Sequence, residues 1–162
     1  MPLTTEQLQA VDKVHQLIDQ VNAIIIGKEN ITKLTITAML AGGHVLFEDI
    51  PGVGKTLLVK TIATCLGADF SRIQFTPDLV PSDIIGFSMP QQGKETFQFR
   101  KGPLFSSIIL ADEINRTSPR TQAAMLEAMA EHQVTSDGVT YDLPDSFFVL
   151  ATQNPIEYEG TY

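Results

Sequence analysis

The feature that most limits the fold is a short loop held between two apolar elements. His44 to Glu48 reads as a strand, Ile50-Pro51-Gly52-Val53-Gly54-Lys55-Thr56 follows, and a helix is predicted from about Gly54 to Leu66, stopped by Gly67. Glycines let the backbone curl tightly with its N–H groups turned inward, and the helix beginning there adds the positive end of its dipole. A loop of this kind suits phosphate groups, with Lys55 reaching β- and γ-phosphates and Thr56 offering a hydroxyl to Mg²⁺. Gly52, Val53, Gly54, Lys55, Thr56 and Leu57 are the candidate nucleotide-binding residues of this segment. The full pattern Gly-x-x-x-x-Gly-Lys-Ser/Thr is met except at its first position, where Asp49 replaces glycine.

The run Ile108-Ile109-Leu110-Ala111-Asp112-Glu113 supplies a second half. On its own, an apolar strand ending in acids is common. Joined to Lys55-Thr56 it becomes specific: Asp112 is the candidate ligand for Mg²⁺, through its waters, and Glu113 the candidate catalytic group that orients and polarises an attacking water. Asn154 follows a third apolar strand, Phe147–Thr152. From pattern alone its amide serves either as a hydrogen-bonding group for a γ-phosphate or water, or as the first residue of an Asn-Pro turn.

Between these motifs strands alternate with helices. Thr4-Thr5-Glu6-Gln7 is a capping-box pattern, and Leu8, Val11, Ile18, Val21 and Ile25 recur at helical spacing behind it. Asn30 to Ala41 reads as a second helix ended by Gly42-Gly43, and Phe70 to Phe75 as a strand. Thr76 to Pro103 is loop-rich, with Thr96–Arg100 alternating like a strand after a hairpin turn at Gln91–Lys94. Ser106 to Ala111 is a buried strand, and Ser118-Pro119 opens a helix running to Glu131. Gln133 to Tyr141 carries Ser136-Asp137-Gly138-Val139, a tight-hairpin signal. Alternation of this kind predicts a parallel sheet with both faces covered and a ligand site beyond the carboxyl ends of its strands.

Composition excludes several function classes. Lys and Arg number 11 against 19 Asp and Glu, a net charge of -8, and sequence-independent DNA binding needs a basic face. No apolar stretch approaches the ~20 residues of a membrane span, and no basic start followed by an apolar run marks a signal peptide. A single cysteine, Cys65, rules out an internal disulfide. It lies in an apolar run and is expected to be packed in the core. These features point to the cytoplasm. His15, His44 and His132 lack metal-ligand spacing and are expected to be structural or surface residues.

The motifs and their order resemble the AAA+ ATPases, and their detail resembles the MoxR branch. The matching stretches are Ile25–Glu29, Phe47–Thr56, Gln74–Leu79, Lys101–Phe105, Ala111–Arg116 and Ala151–Glu157. The resemblance implies a P-loop NTPase three-layer α/β sandwich of AAA+ type over residues 1–162, with two β-hairpin insertions, ATP and Mg²⁺ as cofactors, and ATP hydrolysis as activity. It implies that Ile26 and Gly27 lie against the adenine and that Asn154 is the sensor-1 residue, with Lys55 and Glu113 its catalytic companions. It makes the Phe87–Arg100 and Gln133–Tyr141 hairpins the two inserts that face the pore of a homo-oligomeric ring, usually a hexamer. The family's pattern continues past sensor 1 with an arginine finger, a fifth strand and a helical lid. The sequence ends at Tyr162, so the core is expected to be incomplete there and the lid absent. Arg116 and Arg120 either approach a neighbouring subunit's nucleotide or fill ordinary surface and helix-start roles.

MoxR-like ATPases act as chaperones on protein clients, often ones with von Willebrand factor A domains, and that is the expected function. Three other readings stand beside it: a magnesium-chelatase-type ATPase subunit, a nucleotide-gated scaffold with little turnover, and a DNA-remodelling ATPase. The charge of -8 and the lack of basic residues around Ser136-Asp137-Gly138 count against the last.

Overall fold

The computed structural model describes residues 3–48, 54–91, 93 and 96–153. The chain forms two compact units, the first helical and the second built on the strands.

In the first unit, α1 (Thr5–Asn22) starts on the predicted capping box: Thr4 Oγ1 accepts from the Gln7 N–H at 3.2 Å, and Gln7 Oε1 accepts from the Thr4 N–H at 2.9 Å. The apolar periodicity overstates what α1 buries. Leu8 and Val11 are exposed, and burial begins only toward Val21 and Ile25. Helix α2 (Glu29–Leu40) buries Thr32, Thr35 and Ile36. Helix α3 (Lys55–Leu66) turns Leu58, Val59, Ile62 and Ala63 inward and stops at Gly67, where the Ala68 N–H reaches back to the Ala63 carbonyl. Cys65 corrects an expectation: it lies at the edge of that inward stripe and is only half-buried.

The second unit holds a four-stranded parallel sheet in the order β1-β8-β5-β2, with β1 Val45–Glu48, β2 Phe70–Gln74, β5 Ile108–Asp112 and β8 Phe148–Gln153. These are the four core strands the sequence predicts. The two central ones are the two with continuous apolar runs, because a parallel strand with neighbours on both sides and cover on both faces has no solvent-facing position. Ile108–Ala111 and Phe148–Thr152 are buried throughout, whereas the outer strands β1 and β2 alternate or mix polar residues. A core of Phe75, Ile84, Leu104, Ile109, Met125 and Val149 packs around them. Helix α5 (Pro119–Glu131) begins as predicted, with Ser118 as cap and Pro119 in the first position.

The proline-rich stretch holds more structure than predicted. A short helix, α4 (Pro81–Ile85), forms where Asp83 Oδ2 accepts from the Val80 N–H at 2.9 Å and Ile84 and Ile85 turn into the core. Strands β3 (Gly86–Pro90) and β4 (Phe97–Lys101) make the first hairpin. Its base is tight: a Cβ on Gly86 would overlap the Arg100 carbonyl oxygen, and its φ of 110° favours glycine. The second hairpin pairs β6 (Gln133–Ser136) with β7 (Val139–Asp142) through Asp137 and Gly138, both at positive φ as a two-residue turn requires. The hairpins touch. Ser88 Oγ donates to Asp137 Oδ2 at 3.0 Å, and the Phe99 and Tyr141 rings stack at 4.1 Å. Among the described residues no helix is long and apolar enough to cross a membrane.

His44 has the structural role expected of it. Its Nδ1 accepts from the Val149 N–H at 3.0 Å, which leaves the proton on Nε2 to be donated to the Met129 carbonyl, also at 3.0 Å. One neutral ring thus ties the start of β1 to β8 and to the end of α5. Burial holds its pKa below the usual 6.5; the Met129 bond acts in the opposite direction, and nearby His132 adds a further lowering. The unfolded chain therefore binds more protons below pH 6.5, so this contribution is complete above that value and is lost as pH falls through the lowered folded pKa. The urea midpoint is expected to drop between about pH 7.5 and about pH 5, and His44→Gln to flatten that part of the profile.

Candidate active site

The four strands of the sheet run parallel, so their carboxyl ends share one edge. Register sets Glu48 beside Gln153, Ala151 beside Ala111, and Asp112 beside Gln74. Each predicted motif leaves from that edge: the glycine loop follows β1, the acids end β5, and Asn154 follows β8. Gly52, Val53 and Asn154 themselves lie outside the described residues.

In the helical unit, Gly54 stands at the N-terminus of α3 with φ 78° and ψ 17°, a left-handed conformation that glycine takes without strain. Gly54 has no side chain with which to cap the helix, and no acid lies in the first turn, so the positive end of the dipole is not offset by an acidic side chain of that turn. Lys55 and Thr56 are half-buried at this end and Leu57 is exposed. Gly27 also has a left-handed backbone, and Ile26 beside it is 85% exposed, an apolar side chain turned to solvent.

In the sheet unit, the acids sit in a hydrogen-bonded network. Asp112 Oδ2 accepts from Arg72 Nε at 2.7 Å, while its Oδ1 accepts from Thr152 Oγ1 at 3.1 Å. Glu113 Oε2 accepts from Arg116 Nη1 at 2.7 Å and from Gln74 Nε2 at 2.9 Å. The backbone of Glu113 is left-handed, φ 57° and ψ 48°, which costs a non-glycine residue roughly 1–2 kcal/mol. Its N–H donates to Thr152 Oγ1 at 2.9 Å, so the strain is held by a partner. Both carboxylates remain partly open to solvent, as a ligand site requires.

Arg72, Gln74 and Thr152 bond to the candidate acids, a place that no sequence motif assigns them. Arg72 and Gln74 stand two apart on one edge strand, and their alternation is the signal that could have found them. Arg116 pairs with Glu113 in its own chain. Arg120 is exposed in the first turn of α5.

The donor chemistry fits Mg²⁺ with a nucleotide. Within the sheet unit, Asp112 offers the hard carboxylate oxygens that magnesium takes, and the Arg72 guanidinium is a cation already drawn to that carboxylate.

Residues 44–162 match the profile of the ATPase family associated with various cellular activities (AAA). The chain is 57% identical over 145 residues to the uncharacterized protein YeaC of Bacillus subtilis, covering 90% of this chain and 45% of that one. It is 48% identical over 152 residues to the chaperone MoxR1 of Mycobacterium tuberculosis, covering 94% and 40%. A crystal structure of a candidate ATPase from Cytophaga hutchinsonii, 49% identical, superposes with a TM-score of 0.81 over 96% of this chain and 47% of that one. The chain thus spans less than half the length of these relatives. Its architecture is the α/β P-loop NTPase fold, and the chain belongs to the AAA family of ATPases, as a member of the MoxR type.

Proposed function

We propose that this protein binds ATP with Mg²⁺ and hydrolyses it, and that residues 1–162 are the nucleotide-binding core of a chaperone-like ATPase. The observation that carries the reading is the shared carboxyl edge of the parallel sheet, where the acid pair follows the apolar run of β5 and where β1 and β8 end just before the glycine loop and Asn154 in the sequence. Lys55 and the N–H groups of the loop would hold the phosphates, with Gly52, Val53, Gly54 and Leu57 in the same cradle and Ile26 and Gly27 against the base. Thr56 and Asp112 would hold magnesium, which when bound neutralises charge on the β- and γ-phosphate oxygens. Glu113 would take a proton from water through whichever of its oxygens faces the phosphate, and Asn154 would orient that water.

The partners proposed are ATP and ADP, further copies of the chain in a ring, and protein clients, including ones with von Willebrand factor A domains. The site of action is the cytoplasm. The two linked hairpins expose Phe87, Met89, Phe97 and Val139, an apolar surface suited to an unfolding polypeptide. A second reading, a nucleotide-gated scaffold with little turnover, is favoured by one contact: two donors occupy Glu113 Oε2.

Phosphate release from ATP, measured with the full-length protein in Mg²⁺ and in excess chelator, separates the two. Metal-dependent turnover is expected. Tight ATP binding without turnover, even with clients added, would leave only the scaffold.

A further inference from the structure

Thr152 is buried, 5% exposed, one residue from the end of β8. Its hydroxyl makes two bonds whose directions are fixed by chemistry. The Glu113 N–H can only donate, so Oγ1 accepts there, at 2.9 Å. The hydroxyl has one proton left, and the Asp112 carboxylate, an acceptor when ionised, receives it at 3.1 Å. Asp112 is then held on both oxygens, by Thr152 on one and by Arg72 on the other. Glu113 is held at its backbone in the left-handed conformation that aims its side chain.

We infer that Thr152 is a positioning residue: a single hydroxyl on β8 orients the carboxylate of Asp112 and pins the backbone of Glu113, so that the acid ending β5 and the one after it take their placement from the strand leading to Asn154. The inference rests on the ATPase reading for its catalytic consequence, but the linkage itself does not. A methyl in place of the hydroxyl would leave packing almost unchanged, free Asp112 Oδ1, and take the partner from a partly buried N–H on a residue already in an unfavourable conformation. Removing a partner that orients a metal-binding or catalytic group typically lowers metal affinity or activity ~10–100-fold.

The test compares Thr152→Val, which keeps the shape, with Thr152→Ser, which keeps the hydroxyl. Three readouts are needed: thermal midpoint, hydrogen exchange of the Glu113 amide by NMR without nucleotide, and kcat and KM for ATP with Mn²⁺ as the metal probe. Thr152→Val is expected to speed Glu113 amide exchange at least about tenfold and to lower kcat by ~10–100-fold, with KM nearly constant. Thr152→Ser is expected to restore most of both. Unchanged Glu113 exchange in Thr152→Val would overturn the linkage. Faster exchange with unchanged kcat would overturn the positioning role, as would a loss in kcat matched by a collapse of the thermal midpoint and not rescued by serine. A wild-type protein that neither binds nor turns over Mn-ATP would instead overturn the ATPase reading, and the catalytic part of this inference with it.

Discussion

Glu113→Gln is expected to keep nucleotide binding and to lose ~10²–10⁴ in turnover, the usual consequence of removing a catalytic base. Gln is nearly the same size and can still accept from Arg116 and Gln74, so the network around β5 should survive. What it lacks is the capacity to take up a proton from water. The left-handed backbone of Glu113 is unaffected in kind, since Gln meets the same steric cost, and the Thr152 bond to the N–H remains. Affinity for an ATP analogue, measured by calorimetry in the full-length protein, should stay within a few fold of wild type. Single-turnover phosphate release should fall steeply. Equal turnover in the variant would remove Glu113 from the chemistry and move attention to a water held by other groups on that edge.

The sequence carried the sheet well because its central strands have no freedom of composition. Ile108–Ala111 and Phe148–Ala151 must be apolar at every position to sit between neighbours, and they read so directly. Caps were equally legible, since Thr4 and Ser118 act within three residues of themselves. The short helix Pro81–Ile85 was not. Five residues are too few to show a helical period, and what stabilises it is the capping of Val80 by Asp83 together with burial of Ile84 and Ile85. Periodicity also overstated α1, because it shows which face is apolar and not how far that face is covered; Leu8 and Val11 are exposed on it.

The chemistry divided along the same line. Lys55, Thr56, Asp112 and Glu113 belong to contiguous motifs and were visible as such. Arg72, Gln74 and Thr152 reach the acids only because β2 and β8 flank β5 in a particular register, and register across forty residues leaves no local mark. Arg116 could be seen, but its pairing with Glu113 depends on the single turn of helix at Ile114–Arg116 that folds the chain back. Ile26 and Gly27 rest on the family resemblance alone, because an exposed isoleucine beside a left-handed glycine is a local pattern that any turn can carry.

Lys55→Ala is expected to weaken ATP binding by about 1.5–3 kcal/mol, the range for a hydrogen bond to a charged group, or roughly 10–150-fold in Kd. The loss should be large but not complete, because the N–H groups at the start of α3 and its dipole remain after the side chain is gone. The contact proposed is with the β- and γ-phosphates, so the effect should depend on phosphate number. Affinity for AMP, measured in the same calorimeter, should barely change, ADP should suffer in part, and a non-hydrolysable ATP analogue should suffer most. Lys55→Arg should not restore full affinity, since a planar guanidinium forks its donors and does not reproduce the compact point charge of an ammonium. The gradient across the three nucleotides distinguishes a phosphate contact from a folding defect, which would weaken all three alike and lower the thermal midpoint of the free protein. ATP affinity unchanged in Lys55→Ala would reject the glycine loop as the phosphate site, and with it the role proposed for Thr56.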